Sequence, residues 1–209
     1  MVNLQKVGAI AAAMQAILYI GAFIYFGAIL NYPSADTNAQ LQFLSDNQFG
    51  LAISNLLLYV LFGIVLAVLV LALHERLKQQ SPLLMQLASL FGYLWVGLVI
   101  AAGMIANISQ SVVLKIASTS PEQAKTIWLA TDAMVEGIGG GNEIVGGLWV
   151  LLLSIAALRT RLLSKGLTLL GLLVGIAGTS TIYPAAILTE IFGISQIVWF
   201  IWLSIELRK

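Results

Sequence analysis

Residues 137–159 read GIGGGNEIVGGLWVLLLSIAALR. One carboxylate, Glu143, stands among glycine and aliphatic residues until Arg159 closes the run. A stretch this apolar and this long has the dimensions of a helix that crosses a bilayer, which needs about 20 mostly apolar residues. The same reading extends outward in both directions. Stretches 7–30, 49–73 and 83–107 hold no charged residue, and 166–205 holds only Glu190. That last stretch is too long for one crossing. Pro184 and Glu190 mark a turn within it, because proline breaks the helix ladder and a carboxylate prefers the water interface. The expectation is an all-α, polytopic transmembrane helical bundle of six spans in a single domain. The spans fall at about 7–30, 49–73, 83–107, 137–158, 166–186 and 189–206, the sixth being short.

Composition agrees and excludes a good deal. The chain has 209 residues, 60% hydrophobic and 9% charged, against about 45–50% and about 25% in ordinary soluble domains. With no cysteine, disulfides, thiolate metal sites, iron–sulfur clusters and cysteine nucleophiles are absent. A single histidine, His74, cannot make a three-histidine zinc site or a bis-histidine haem. No mid-membrane lysine is present for a retinal Schiff base. A net charge of +1 argues against nucleic acid as a partner. No metal and no cofactor are expected; the bilayer itself is the expected partner.

Lysine and arginine set the orientation. If the spans alternate, Lys6, Arg76, Lys78, Arg159, Arg161, Lys165, Arg208 and Lys209 share the side of the N-terminus, leaving Lys115 and Lys125 opposite. Eight of the ten cations on one side predict cytoplasmic N- and C-termini in an inner, cytoplasmic membrane. The opposite side receives Asp36, Asp46, Glu122, Asp132, Glu136, Glu143 and Glu190, and the two longest loops, 31–48 and 108–136. The first span exceeds the signal-peptide core of about 7–15 apolar residues, and Ala11-Ala12-Ala13 lies inside it, so a retained helix is expected. Tyr25, Tyr32, Trp128, Trp199 and Trp202 stand where interfacial belt aromatics belong. Ser120-Pro121-Glu122 reads as a helix start, so the fourth helix either begins outside the bilayer or follows a short interfacial helix over about 121–133.

Candidate functional residues gather toward the outer side. Were 132–158 one continuous helix, Asp132, Glu136 and Glu143 would share a face with Gly140 and Gly147, since steps of four and seven residues return within about 40°. Asn55, Asn107, Asn142, Thr179, Ser180, Thr181 and Gln196 fall at similar depth, whereas the inner halves of the second, fourth and fifth spans are nearly pure Leu, Val, Ile, Ala and Gly. The expected site is an outward-facing cavity with Glu143 near its floor, served by Glu136, Asn142, Asn55, Asn107, Thr179, Thr181 and Gln196. Two readings of Glu143 stand side by side. It is a hydrated or packed group hydrogen-bonded to Asn55 or Asn107, or it holds a ligand, ion or proton. Likewise the triple glycine 139–141 either unwinds the helix around a site or permits close packing. Gln15, Gln86 and Ser89 read as inter-helix hydrogen bonds, and His74 as a solvated helix end.

The segments GGNEIVGGLWVLLLSIAALR, LTLLGLLVGIAGTSTIYP and IFGISQIVWFIWL, in that order, resemble a bacterial and archaeal family of short six-span membrane proteins catalogued as a domain of unknown function. The resemblance is specific mainly over 139–203 and implies the six-helix architecture, with no activity attached. Three function classes follow from the residues. The first is binding or sensing of a small amphipathic or lipid-like molecule. The second is proton- or ion-coupled transport using Glu143. The third is carboxylate chemistry by Glu136 and Glu143, for which no catalytic residue is assigned. Transport calls for polar groups through the full depth, and an enzyme lacks a serine–histidine pair, so binding is the leading expectation.

Overall fold

The computed structural model describes residues 3–30, 36–140 and 143–209. Its first two helices begin where a short polar residue satisfies a free backbone N–H group. Asn3 accepts the Gln5 N–H at 3.0 Å to start α1 (Leu4–Ile24), and Asp36 accepts that of Asn38 at 2.9 Å to start α2 (Thr37–Asp46). Next come α3 (Gln48–Asn55) and α4 (Phe62–Leu77), joined into one rod by a π-helical segment, Leu56–Leu61. Proline in the first turn opens both α5 (Pro82–Ala117) and α6 (Pro121–Val135). Beyond them lie α7 (Ile144–Thr160), α8 (Lys165–Ser180) and α9 (Ala186–Glu206). Among the described residues every regular element is helical, and the chain is an all-α bundle.

Five stretches among the described residues are long and apolar enough to cross a membrane: Leu4–Ile29, Gln48–Leu77, Pro82–Ala117, Ala186–Glu206 and Pro121–Thr160, the last combining α6, a π-helical segment and α7. The sixth apolar helix, α8, has 16 residues. At 1.5 Å per residue it is about 24 Å long, short of the hydrocarbon thickness of about 30 Å. The fifth apolar helix is therefore the short one, and not the sixth as expected. The turn begins at Thr181, before Pro184, while α9 starts at Ala186 and carries Glu190, exposed, inside it. The bundle is apolar on its outside. Along α9, Ile187, Ile191, Ile194, Val198, Ile201 and Ile205 form an exposed stripe at helical spacing, while Gln196, Trp199, Phe200 and Leu203 face inward. Such a surface is at home in lipid. The protein is a multi-pass membrane protein.

Side-chain bonds define the two ends. At one, Gln5 Nε2 donates to the Ala72 carbonyl at 3.0 Å, Arg76 donates to that of Leu162 at 3.4 Å, and the Ser164 N–H donates to Glu206 at 3.2 Å. This end gathers the eight cations singled out from the sequence. At the other, α6 packs along the outer part of α5, and α2 touches both. Gln110 Nε2 donates to the carbonyls of Leu44 and Gln48, and Trp128 Nε1 donates to Gln40 Oε1 at 3.2 Å. A second small core of Leu30, Leu41, Leu44, Leu51, Val113 and Ala124 forms beneath them. Helix α6 (Pro121–Val135) begins at the expected Ser120-Pro121 start and leads through Glu136–Gly140 toward α7.

Four local expectations change. His74 is half-buried, with Nδ1 2.7 Å from Ser89 Oγ and 3.2 Å from the Met85 carbonyl, because α4 and α5 meet there. Ser89 thus makes its inter-helix bond, whereas Gln86, about 100° round the helix from Met85, is exposed. Trp199 is a core residue at 1% exposure and not a belt aromatic; Trp202, on the outer face, is partly exposed. The run 132–158 is also not one helix. A π-helical segment, Glu136–Gly140, contains Gly139 in an extended conformation, and α7 restarts with Glu143 at its N-cap position. The shared face computed for Asp132, Glu136, Glu143, Gly140 and Gly147 therefore does not exist as drawn. Tyr32 and Asn142 lie outside the described residues.

Candidate functional site

Glu143 owes its position to this break. Its backbone N–H donates to Thr181 Oγ1 at 3.0 Å, and Thr181 Oγ1 donates onward to the Gly178 carbonyl at 2.7 Å. The turn after α8 thereby holds the start of α7. Glycine makes the approach possible: a Cβ on Gly147 would sit 2.5 Å from the Thr179 nitrogen and 2.6 Å from the Gly178 carbonyl carbon. The Glu143 residue is 8% exposed, and its Oε2 is buried without a hydrogen-bond partner. Desolvating a carboxylate oxygen without compensation is costly.

That side chain lines a cavity of about 200 Å³. Tyr19, Ala22 and Phe26 come from α1 and its π-helical extension Tyr25–Ile29; Tyr59 and Phe62 come from the α3–α4 rod. Trp95 and Val99 of α5 complete the wall with Gly139. A second cavity of about 270 Å³ shares Phe26 and Tyr59 and adds Asn55, Gln110, Trp128, Asp132 and Glu136. A third, of about 370 Å³, shares Tyr19, Ala22, Phe26 and Glu143, and reaches Phe23, Gly27, Thr189 and Gly193 between α1 and α9. The described residues lining the three include Asp132, Glu136 and Glu143 but no lysine, arginine or histidine. Lys115 is exposed near the end of α5. All three π-helical segments, Tyr25–Ile29, Leu56–Leu61 and Glu136–Gly140, contribute to these walls. Such departures from α geometry are frequent at functional sites.

Toward the cation-rich end, the space is bounded by aromatic rings. Tyr19 meets Phe62 at 5.3 Å, Phe62 meets Trp95 at 5.6 Å and Trp95 meets Trp149 at 5.9 Å. Trp149 meets Trp199 at 5.8 Å, Trp199 meets Phe200 at 5.5 Å, and Phe200 returns to Tyr19 at 6.1 Å. This closed circuit joins α1, α4, α5, α7 and α9. Beyond it lies buried Leu66, Leu69, Leu73, Leu153 and Leu167.

The residues singled out from sequence are distributed unevenly. Glu143, Glu136 and Asn55 line the neighbouring cavities; Thr181 serves the backbone of Glu143. Asn55 donates to Asn107 Oδ1 at 3.0 Å, and Asn107 donates to the Ala52 carbonyl at 3.2 Å. The two asparagines thus bond each other across α3 and α5. Thr179 and Ser180 turn their hydroxyls back onto carbonyls of α8. Gln196 is fully buried among the aromatic rings and lines none of the three cavities. Tyr19, Phe26, Tyr59 and Trp95 were not anticipated. In sequence, an aromatic residue of a span resembles any other core residue; only the arrangement of helices distinguishes a wall.

Among known proteins, no curated protein and no solved structure matches the chain. A family model described as Domain of unknown function (DUF4386) matches residues 8–206.

Proposed function

The chain belongs to the DUF4386 family, a membership that brings no activity with it, and from the geometry of the site we propose that it binds a small amphipathic ligand between its helices. The observation that carries this reading is the lone Glu143 carboxylate, one oxygen buried and unpartnered, on the wall of a cavity lined by Tyr19, Phe26, Tyr59, Phe62 and Trp95. Apolar walls with a single convergent polar group are the usual form of a small-molecule site. The cavity faces the outer side of an inner, cytoplasmic membrane, since the cation-rich end belongs in the cytoplasm. Binding is favoured over passage by the aromatic circuit and leucine core below Glu143.

Blocking the cavity tests the reading. Ala22 lines two of the three cavities. Protein purified in mild detergent should carry a co-purifying amphiphile, detected by native mass spectrometry, that Ala22→Phe loses while keeping its helical circular-dichroism signal. Equal ligand occupancy in the folded variant would refute binding at this place.

A further inference from the structure

We infer that the ligand of this site is an organic cation, an ammonium group carried on a short apolar chain. The inference rests on the binding reading above and adds the ligand's charge. Three observations carry it independently of any titration. First, Glu143 is buried, its Oε2 lacks a partner, and it lines the first and third cavities. An ammonium group supplies both the donor and the counter-charge that this carboxylate lacks, whereas an anionic ligand would be repelled. Second, Asp132 and Glu136 line the adjoining cavity, which shares Phe26 and Tyr59 with the first, and no described residue lining the three cavities is basic. A vestibule of one charge sign raises the local concentration of its counter-ion. Third, five aromatic residues line the space beside Glu143. Aromatic rings attract cations through their quadrupole, and do so more strongly when the cation is desolvated.

A bare metal ion fits less well. Calcium takes about 6–8 oxygen ligands, and among the described residues there is no group of three or more His, Cys, Asp or Glu positioned to hold a metal. An ammonium group needs only the one carboxylate and the rings. Its apolar chain has room in the third cavity, where exposed Phe23 lies between α1 and α9.

Three probes of one chain length separate the possibilities: octylammonium, octan-1-ol and octanoate, titrated against the full chain in a neutral detergent, with binding read from thermal unfolding. Octylammonium should bind at least about tenfold more tightly than either of the others, as expected for a charge-assisted contact in a desolvated site. Glu143→Gln should reduce it to the level of octanol, and Tyr59→Leu should weaken octylammonium several-fold with octanol unchanged. Equal binding of octanol and octylammonium to wild-type protein would overturn the cation inference while leaving the binding reading intact. Failure of all three to bind would remove both. If Glu143→Gln does not fold, the ranking of the probes on wild-type protein decides the matter alone.

Discussion

Buried amides set the sharpest local problem in this molecule. Gln15 is fully buried and donates from Nε2 to the Phe62 carbonyl at 2.9 Å, tying α1 to the first residue of α4. Gln196 is equally buried, yet neither its Nε2 nor its Oε1 has a partner. Leaving a buried polar group unsatisfied costs about 1–3 kcal/mol. Methionine has similar length and no such requirement, so Gln196→Met should raise stability by about 1–2 kcal/mol. The midpoint of unfolding in a detergent titration reads this directly; a lower midpoint would show that Gln196 makes a polar contact in the native protein. At Glu143 the same physics predicts opposite effects from two substitutions. Glu143→Gln keeps the shape of the side chain and removes the buried charge, so melting should stay level or rise. Glu143→Lys forces a longer side chain into a position that is 8% exposed, and by overpacking should reduce helical folding yield. Comparable yields from both variants would mean that the side chain is free to reach water.

At the scale of elements, the seam between α7 and α8 is built from glycine. Gly147 faces Gly178, and a Cβ on Gly175 would lie 2.6 Å from the Leu151 Cα. Because backbone and not a flexible side-chain tip occupies the space, neither helix can yield without moving as a unit. Gly147→Ala should therefore destabilise by about 1–3 kcal/mol. Gly97→Ala on α5 is the control, since nothing lies within 4 Å of a Cβ there; it should be neutral or better by up to about 1 kcal/mol through helix propensity. Equal melting of the two variants would contradict the seam. The sequence pointed to Gly147 for this role but coupled it to Gly140 by assuming unbroken helical rotation. Gly139, extended, ends that arithmetic. The π-helical segments were equally invisible, because residues such as Leu56–Leu61 (LLLYVL) are compatible with either kind of helix.

For the whole molecule, charge asymmetry and helix alternation lead to one prediction. The bonds among Gln5, Ala72, Arg76, Leu162, Ser164 and Glu206 place the cation-rich segments together at one end, and the positive-inside rule assigns that end to the cytoplasm. The chain has no cysteine, so single cysteines report cleanly. Asn38→Cys in α2 should react with an impermeant maleimide added to intact cells, and Gln79→Cys, in the turn after α4, only after lysis. Labelling of Gln79→Cys from outside would invert the molecule and direct the Glu143 cavity inward.

The sequence alone determined the all-helical membrane class and the segregation of charge. Each depends on hydrophobic run length and on where lysine and arginine fall, both of which are additive along the chain. It also identified Glu143, since a lone carboxylate within an apolar run is conspicuous without any structure. Tertiary structure decided what surrounds that carboxylate. Tyr19, Phe62 and Trp95 come from three helices far apart in sequence, and no local signal distinguishes a ring that lines a cavity from one that fills a core. Asn107 and Thr179 sit at the anticipated depth, but rotation about the helix axis turned their polar groups to Ala52 and to α8 instead. Depth follows from counting residues. Azimuth follows from how helices pack, which here is governed by a broken helix at Gly139 and a glycine seam at Gly147.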